Sequence, residues 1–178
     1  MKLILDASKV SIAIDRLAYE LIENHNDFKN TALIGIQPRG VELARRLWEK
    51  VKEYTGNNAI LYGELDITFY RDDYRRNETP LIANAMDIDF VIEGKKVILI
   101  DDVLFTGRSI RSALDALNTF GRPQKAELLV LIDRRYSREL PIEADYTGKT
   151  VDSRADEKVK VEWGDKPGDN KVWLLTNK

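Results

Sequence analysis

The chain has 178 residues, of which 43% are hydrophobic and 33% are charged, and its formal net charge is −2. This length and balance are typical of a globular domain with room for a core, so we expect residues 1–178 to form a single domain. The chain contains no cysteine, which excludes disulfides, thiolate metal sites and a cysteine nucleophile. The single histidine, His25, argues against a zinc site and leaves no spare candidate for a serine–histidine–aspartate triad.

The charge and hydropathy patterns narrow the class of partner. A pI of about 5.6 gives no overall electrostatic field that favours nucleic acid, although it does not exclude local basic patches. No apolar run approaches the length of a membrane span, and the first residues do not have the pattern of a signal peptide. We therefore expect a cytoplasmic protein without a membrane partner, whose chemistry uses Mg²⁺ or no metal.

The first predicted helix has an apolar stripe that includes Leu17 and Leu21 at helical spacing. Asp6 or Ser8 would cap its N-terminus. His25 is expected at the frayed C-terminal end, where a cation suits the helix dipole, and no catalytic role is assigned to it.

A tight turn at Pro38, Arg39 and Gly40 joins a predicted buried strand at residues 32–36 to a helix. Residues 59–70 are rich in β-forming side chains, which predicts an extended strand. By composition the polar stretch at 71–80 is a solvated hairpin tip, and residues 81–93 are expected to form a hairpin-like connection.

The most informative stretch is 97–109, in which four apolar residues precede Asp101 and Asp102. The apolar run predicts a buried strand, and the helical spacing from Ile110 onward predicts a helix that ends near Gly121. The turn between them directs backbone N–H groups and the helix dipole at one point, which suits a phosphate. The two acids suit sugar hydroxyls or a hydrated Mg²⁺. The pattern predicts a site for a phosphorylated sugar; the alternative is a buried strand–helix unit whose acids only cap the helix.

The remaining segments continue the same pattern. Residues 127–132 predict another buried parallel strand, and residues 140–149 predict an extended segment with a turn at Gly148. Apolar residues between 159 and 174 predict a final pair of strands that covers the sheet or an interface. The repeated strand–helix units predict an α/β fold with a doubly wound, mostly parallel sheet flanked by helices and a ligand at its carboxyl edge.

Residues 97–109 resemble the motif with which type I phosphoribosyltransferases bind 5-phosphoribosyl 1-diphosphate (PRPP). The closest likeness is to the uracil phosphoribosyltransferases that also regulate pyrimidine operons, the PyrR group. It extends from about residue 5 to residue 173 and includes the string at 66–73 and the segment at 140–149. The resemblance implies that uracil and PRPP react to give UMP and pyrophosphate with Mg²⁺, on a fold with a small hood and a flexible hairpin loop.

The same resemblance implies roles for individual residues in catalysis. Arg39 would hold the diphosphate of PRPP, and Arg71 would reach the leaving pyrophosphate. Asp101 and Asp102 would orient the ribose, and Asp101 would also reach Mg²⁺ through water. Further candidates for the pyrophosphate are Arg75 and Arg76.

The binding residues implied by the resemblance form two sets. The base-binding set is Ile132, Asp133 and Arg138. The PRPP-binding set is Pro38, Arg39, Gly40, Val97, Ile98, Leu99, Ile100, Asp101, Asp102, Val103, Leu104, Phe105, Thr106, Gly107, Arg108 and Ser109.

Other functions stay open at this point. In the resembled group, a threonine and a histidine on the first helix contact operon leader RNA in response to UMP or UTP. The matching positions here are Asp15 and Tyr19, and an acid that faces phosphate is unfavourable. Arg16, Tyr19 and Lys149 are the candidate RNA-binding residues. A phosphoribosyltransferase for another base and an inactive PRPP sensor are further alternatives, and the resemblance implies a homodimer or a higher homo-oligomer.

Overall fold

The computed structural model describes residues 1–72, 87–154, 156–164 and 167–176. Arg75, Arg76 and most of the predicted hairpin loop lie outside the described residues. The helices and strands are β1 (Lys2–Leu5), α1 (Ala7–His25), β2 (Thr31–Ile36), α2 (Gly40–Thr55), β3 (Leu61–Leu65), β4 (Lys96–Leu104), α3 (Arg108–Leu117), β5 (Lys125–Arg135), β6 (Tyr146–Asp152), β7 (Glu157–Glu162) and β8 (Lys171–Thr176).

The central sheet has the strand order β3-β2-β4-β5-β6, and all of its strand pairs are parallel. Successive strand residues point to opposite faces, so a strand buried on both sides is apolar throughout. In β4, Ile98 and Ile100 pack in the cluster that contains the apolar residues of α1 and α2, whereas Val97 and Leu99 pack in the cluster that contains those of α3. The predicted sheet with helices on both faces is confirmed.

The order of the strands places a ligand site between β2 and β4. From β2 the chain continues to β3 on one side of the sheet and then to β4 on the other side. At such a switch point the loops that follow the two central strands diverge and leave a crevice at their carboxyl ends. The turn after β2 and the turn after β4 therefore face each other across this crevice.

A second, antiparallel sheet with the order β1-β8-β7 forms a small hood. The predicted pair of terminal strands is confirmed as β7 and β8. The pairing of β8 with β1 was not predicted, because β1 has only four residues and its partner lies at the other end of the chain. None of the helices in the described part of the chain combines the length and the apolar composition of a membrane span.

The predicted end of one strand and the predicted turn at Gly148 were wrong. The extended course at 59–70 stops after β3, because the Asp66 carboxylate accepts hydrogen bonds from the backbone N–H and the hydroxyl of Thr68 and starts a short 3₁₀ turn. Gly148 is not in a turn but inside β6. A side chain at Gly148 would collide with the backbone of β5, since a Cβ there would lie 2.5 Å from the carbonyl oxygen of Leu131.

The expectation that His25 lies at a frayed helix end was also wrong. His25 is buried, and its Nε2 lies 2.8 Å from Glu127 Oε2 and 3.1 Å from the hydroxyl of Tyr146. Its Nδ1 lies 3.2 Å from the hydroxyl of Thr31. The cluster of His25, Glu127, Tyr146 and Thr31 thus joins the end of α1 to the first residues of β2, β5 and β6. Burial outweighs the attraction of Glu127 and lowers the pKa of His25.

We expect His25→Ala to lower the free energy of unfolding by about 2 kcal/mol, because the substitution removes the imidazole that the buried groups of Thr31, Glu127 and Tyr146 contact. Since the pKa of His25 is lowered in the folded state, the unfolded chain takes up a proton first as the pH falls through 6.5. The wild-type protein should therefore lose stability below this pH, and the variant should lack this part of the loss. Urea unfolding at several pH values measures both effects.

The matched control is Glu23→Ala, at an exposed position on the same helix. It should leave the free energy of unfolding within about 0.5 kcal/mol of the wild-type value. Equal stability of the His25 variant and this control would contradict the proposed importance of the buried cluster.

Candidate active site

A cavity of about 580 Å³ lies at the carboxyl ends of β2 and β4, under the hood. The turn after β2 contributes Gln37, Pro38 and Arg39, and the segment after β3 contributes Ile67 and Arg71. The end of β4 and the turn after it contribute Asp101, Asp102, Val103, Phe105 and Ser109. The opposite wall consists of Arg134 from β5 and of residues 156–159 from the hood.

The turn after β2 is pressed against the neighbouring strand β4. A Cβ at Gly40 would lie 2.2 Å from the carbonyl oxygen of Ile100, so only glycine allows this approach. Because Gly40 is the first residue of α2, the start of that helix faces the cavity. The same contact brings the exposed Arg39 close to Asp101 and Asp102. Its positive charge opposes the rise that burial causes in the pKa values of both acids.

The two adjacent acids lie inside β4 rather than after it, because the strand is longer than the apolar run that predicts it. Asp101 is 8% exposed and Asp102 is 5% exposed. Burial and the neighbouring charge of Asp102 raise the pKa of Asp101 well above its usual value. Burial also raises the pKa of Asp102, although Arg39 opposes that rise. A ligand that brings hydroxyl groups or cations to this pair would favour its charged form.

The predicted phosphate-binding turn connects β4 to α3 and is held from one side by the chain around Glu139. The carbonyl oxygen of Thr106 accepts hydrogen bonds from the backbone N–H groups of Glu139 and Leu140, at 3.0 and 3.2 Å. The first residues of α3 have backbone N–H groups without an acceptor in a preceding helical turn, and Ser109, the second residue of α3, lines the cavity. The turn can therefore offer an anion both N–H groups and a hydroxyl.

Arg134 connects the sheet to the hood and was missed by the sequence analysis. It is 4% exposed, and it donates to the hydroxyl of Ser153 and to the carbonyl oxygens of Arg154 and Glu157 at 2.8 to 3.1 Å. Its guanidinium lies 3.8 Å from the centre of the Phe105 ring. Burial lowers the pKa of Arg134. In the sequence Arg134 is one of several neighbouring arginines, and nothing in that pattern separates it from a solvated charge.

The predicted catalytic residues Arg39, Arg71, Asp101 and Asp102 come together in this cavity. Of the predicted PRPP-binding set, the residues that line it are Pro38, Arg39, Asp101, Asp102, Val103, Phe105 and Ser109. The apolar members are buried core residues of β4, the strand that also carries the two acids. They are Val97, Ile98, Leu99, Ile100 and Leu104. The side chain of Arg108 is directed elsewhere, to the carboxylates of Asp72 and Glu139.

The predicted base-binding residues lie beside the cavity rather than in its wall. Ile132 is fully buried in β5. Arg138 donates to Asp133 at 2.5 Å and also to the carbonyl oxygen of Phe105. Asp133 and Arg138 therefore support the turn that carries Phe105.

Some residues that line the cavity were not singled out by the sequence analysis. They are Gln37, Ile67 and residues 156–159 of the hood.

The predicted RNA-binding residues lie on a different surface, where α1 packs on β6. Arg16 donates to the carbonyl oxygens of Thr147 and Gly148 and to the carboxylate of Glu20, so its charge is already engaged. Tyr19 is half-exposed and stacks on Tyr54, with 4.8 Å between the ring centres.

Two other charged residues of this region, Asp15 and Lys149, differ in whether they are paired or exposed. Asp15 accepts a hydrogen bond from the hydroxyl of Tyr54 and forms an ion pair with Lys50. Lys149 is exposed on β6. The acid at position 15 is thus neutralised by groups of the chain itself.

Comparison with known families agrees with this geometry. The family described as the phosphoribosyl transferase domain matches residues 2–164, which is most of the chain. The chain belongs to the phosphoribosyltransferase family. It is therefore a phosphoribosyltransferase, and the cavity under the hood is its candidate active site.

Relatives define the group more narrowly. This phosphoribosyltransferase is 48% identical over 174 residues to the bifunctional protein PyrR of Elusimicrobium minutum, covering 98% of this chain and 96% of the relative. It is 46% identical over 162 residues to the bifunctional protein PyrR of Bacillus subtilis, covering 89% and 88% of the two chains. The chain thus belongs to the PyrR group.

A more distant likeness supports the fold alone. The crystal structure of the hypoxanthine phosphoribosyltransferase of Trypanosoma cruzi superposes with a TM-score of 0.72, at 16% identity, over 100% of this chain and 98% of the other. The predicted fold class is therefore confirmed.

We expect Asp101→Asn to stabilise this phosphoribosyltransferase at pH 7.5 while it lowers activity. Because the pKa of Asp101 is raised from 3.8, the unfolded chain loses this proton at lower pH than the folded protein does. Ionisation of Asp101 therefore reduces stability progressively as the pH rises from about 4 through the raised pKa. The melting temperature of the variant should exceed that of the wild type at pH 7.5 by about 2 to 4 °C, and the difference should shrink toward pH 4.

Thermal unfolding across this pH range measures the effect. Asp89→Asn, which removes an exposed carboxylate, serves as the control and should leave the melting temperature unchanged. A lower melting temperature for the Asp101 variant than for the wild type at pH 7.5 would show that the buried charge is compensated in the folded protein.

Proposed function

We propose that this phosphoribosyltransferase transfers the phosphoribosyl group of PRPP to uracil and releases UMP and pyrophosphate. In this reaction the bond from the ribose anomeric carbon to the diphosphate oxygen breaks, a bond to N1 of uracil forms, and the N1 proton is released. The observation that carries the proposal is the meeting of Arg39, Arg71, the acid pair and Ser109 in one cavity. These groups match the charges and hydroxyls of PRPP from one end to the other.

The charge of each group suits one part of PRPP. The first turn of α3, with the hydroxyl of Ser109, would bind the 5-phosphate. Asp101 and Asp102 would accept hydrogen bonds from the ribose hydroxyls and favour the positive charge that develops on the ring. Arg39 and Arg71 would hold the diphosphate and stabilise its growing charge as it leaves. No nucleophilic side chain is required, so the rate enhancement would rest on orientation and electrostatics.

The residues present fit Mg²⁺ that arrives with the diphosphate. The acid pair provides oxygen ligands, which Mg²⁺ prefers, and Mg²⁺ keeps several of its waters when carboxylates and substrate phosphates bind it. The described residues contain no cluster of three acid or histidine side chains, so Asp101 through water, together with the substrate, would hold the ion. When bound, Mg²⁺ supplies neutralisation of the diphosphate charge.

The hood offers a reason for a pyrimidine. β7 is one of the two edge strands of the hood, and its residues Glu157, Lys158 and Val159 line the cavity opposite the acids. One edge of β7 has no neighbouring strand within the described part of the chain. Uracil presents an N–H between two carbonyl groups, a pattern that the alternating donors and acceptors of a strand edge complement. The half-exposed ring of Phe105, backed by Arg134, would support the face of the base.

The proposal is tested by following pyrophosphate release with PRPP and Mg²⁺ in the presence of uracil, hypoxanthine, guanine or orotate. We expect turnover with uracil and none with the purines, because only the pyrimidines present the N–H between two carbonyl groups that the hood edge complements. The assay with orotate separates uracil from the other base with this pattern. Turnover only with a purine or with orotate would overturn the choice of base. Failure with every base despite PRPP binding would favour a sensor.

A pair of arginine variants tests the assignment of the diphosphate site in the same assay. Arg39→Ala should reduce kcat by about 10²-fold or more, since it removes a charge at the leaving group. Arg45→Ala is the matched control, because Arg45 lies on α2 and pairs with Glu42 and Glu64 outside the cavity. It should keep wild-type activity.

A second function is favoured by the names of the relatives, which describe bifunctional proteins. We propose that the protein also binds pyrimidine-operon leader RNA in response to UMP or UTP, through the surface of α1 and β6. Lys149 is exposed on β6 and follows Gly148, whose carbonyl oxygen accepts from Arg16, and the acid Asp15 is paired with Lys50. As part of this proposal the protein acts as a homodimer or a higher homo-oligomer, and residues 1–178 form one phosphoribosyltransferase domain.

Filter binding of a leader RNA with and without UMP tests this second function. Lys149→Ala should weaken binding and reduce the slope of log affinity against log salt by about one, as for the loss of one phosphate contact. Lys171→Ala, which removes an exposed lysine from β8 in the hood, is the control and should bind as the wild type does. No binding to the leader RNA above the level of an unrelated RNA, at any UMP concentration, would overturn the proposal.

A further inference from the structure

Two arginines in the first turn of α3 hold one carboxylate of the segment after β3. Asp72 Oδ2 accepts from Arg108 at 2.7 Å, and its Oδ1 accepts from Arg111 at 2.6 Å. Each oxygen therefore has its own charged donor, which fixes the orientation of the carboxylate. The guanidinium of Arg111 also lies 3.5 Å from the backbone oxygen of Tyr70. The segment is thus attached to α3 at both Tyr70 and Asp72.

Arg71 lies between these two attachment points and lines the cavity. Its backbone is extended, with φ −74° and ψ 140°. These are polyproline II dihedrals, with which neighbouring side chains point in clearly different directions. While Asp72 is attached to α3, Arg71 is directed to a different side, where it lines the cavity.

The attachment also reaches the phosphate-binding turn. Arg108 is the first residue of α3, and its Nε donates to Glu139 at 2.6 Å. The backbone N–H of Glu139 in turn donates to the carbonyl oxygen of Thr106 in that turn. The side chain of Arg108 is thus shared between two carboxylates, while the next residue, Ser109, faces the cavity. Asp72 and the phosphate-binding turn are linked through one guanidinium.

We infer that Asp72 is a positioning residue, which through Arg108 and Arg111 holds Arg71 in place relative to the phosphate-binding turn. This inference rests on the proposed role of Arg71 at the leaving pyrophosphate. The three side chains are 36% to 53% exposed, so their ion pairs add little to the stability of the fold. The effect of losing them should therefore be on the rate of transfer and not on folding.

The test compares Asp72→Asn with the wild type in the pyrophosphate-release assay. Asparagine keeps the size of the side chain but loses the charge that holds both arginines. We expect kcat to fall on the order of tenfold, because Arg71 is no longer held in a productive position. The KM for uracil and the melting temperature should stay at their wild-type values, and Asp72→Glu, which restores the charge, should recover most of the rate.

Two further comparisons separate positioning from other causes. Asp115→Asn is the matched control, since Asp115 also pairs with Arg111, at 3.6 Å, but belongs to α3 itself; it should keep the wild-type rate. In an Arg71→Ala background, Asp72→Asn should cause no further loss, because it acts through Arg71.

Three outcomes would overturn the inference. A wild-type rate for Asp72→Asn beside a slow Arg71→Ala contradicts the positioning role alone. The same tenfold loss in both backgrounds shows that Asp72 does not act through Arg71. A wild-type rate for Arg71→Ala contradicts the proposed role of Arg71 itself, and the inference fails with it.

Discussion

Two adjacent carboxylates buried inside a central strand are the constraint on which the rest of the site depends. Asp101 and Asp102 lie in β4, where burial disfavours their charge and raises their pKa values. Such a pair needs positive charge or hydroxyl groups nearby, and the turn after β2 provides Arg39. That turn reaches β4 only because Gly40 has no side chain. The contact between Gly40 and Ile100 therefore places the start of α2 beside β4. It also places the positive charge of Arg39 near the two carboxylates.

The wall opposite the acids depends on a second buried charge. Arg134 holds the hood to the sheet through one hydroxyl and two carbonyl oxygens, and it also packs against Phe105. Val159 and Val172 of the hood also pack in the apolar cluster that contains residues of the central sheet, so Arg134 adds a polar attachment to this apolar one. The anionic parts of PRPP would meet Arg39 and Arg71, while the base would meet a wall stiffened by Arg134.

The parts of the fold that local sequence determines were predicted well. Continuous apolar runs predict β2, β4 and β5, because a parallel strand covered on both faces has no polar side. The string around Asp101 also predicts the strand, turn and helix that carry the acids. His25 was misinterpreted and Arg134 was missed, because the groups that surround them are distant in the chain; His25 and Glu127 are 102 residues apart. A single histidine and a run of arginines give no local sign that they are buried.

By itself the sequence determined the parallel α/β fold, and it predicts a phosphate-binding turn and four residues for the chemistry. These features follow from the spacing of neighbouring residues, which acts within one strand, turn or helix. Only the tertiary structure decided which side chains face the cavity. It also decided that Arg108 is directed to Asp72 and Glu139, and that Arg134 attaches the hood to the sheet. The physical reason is that hydrogen bonds and burial join strands from opposite ends of the chain, and no local pattern records those partners.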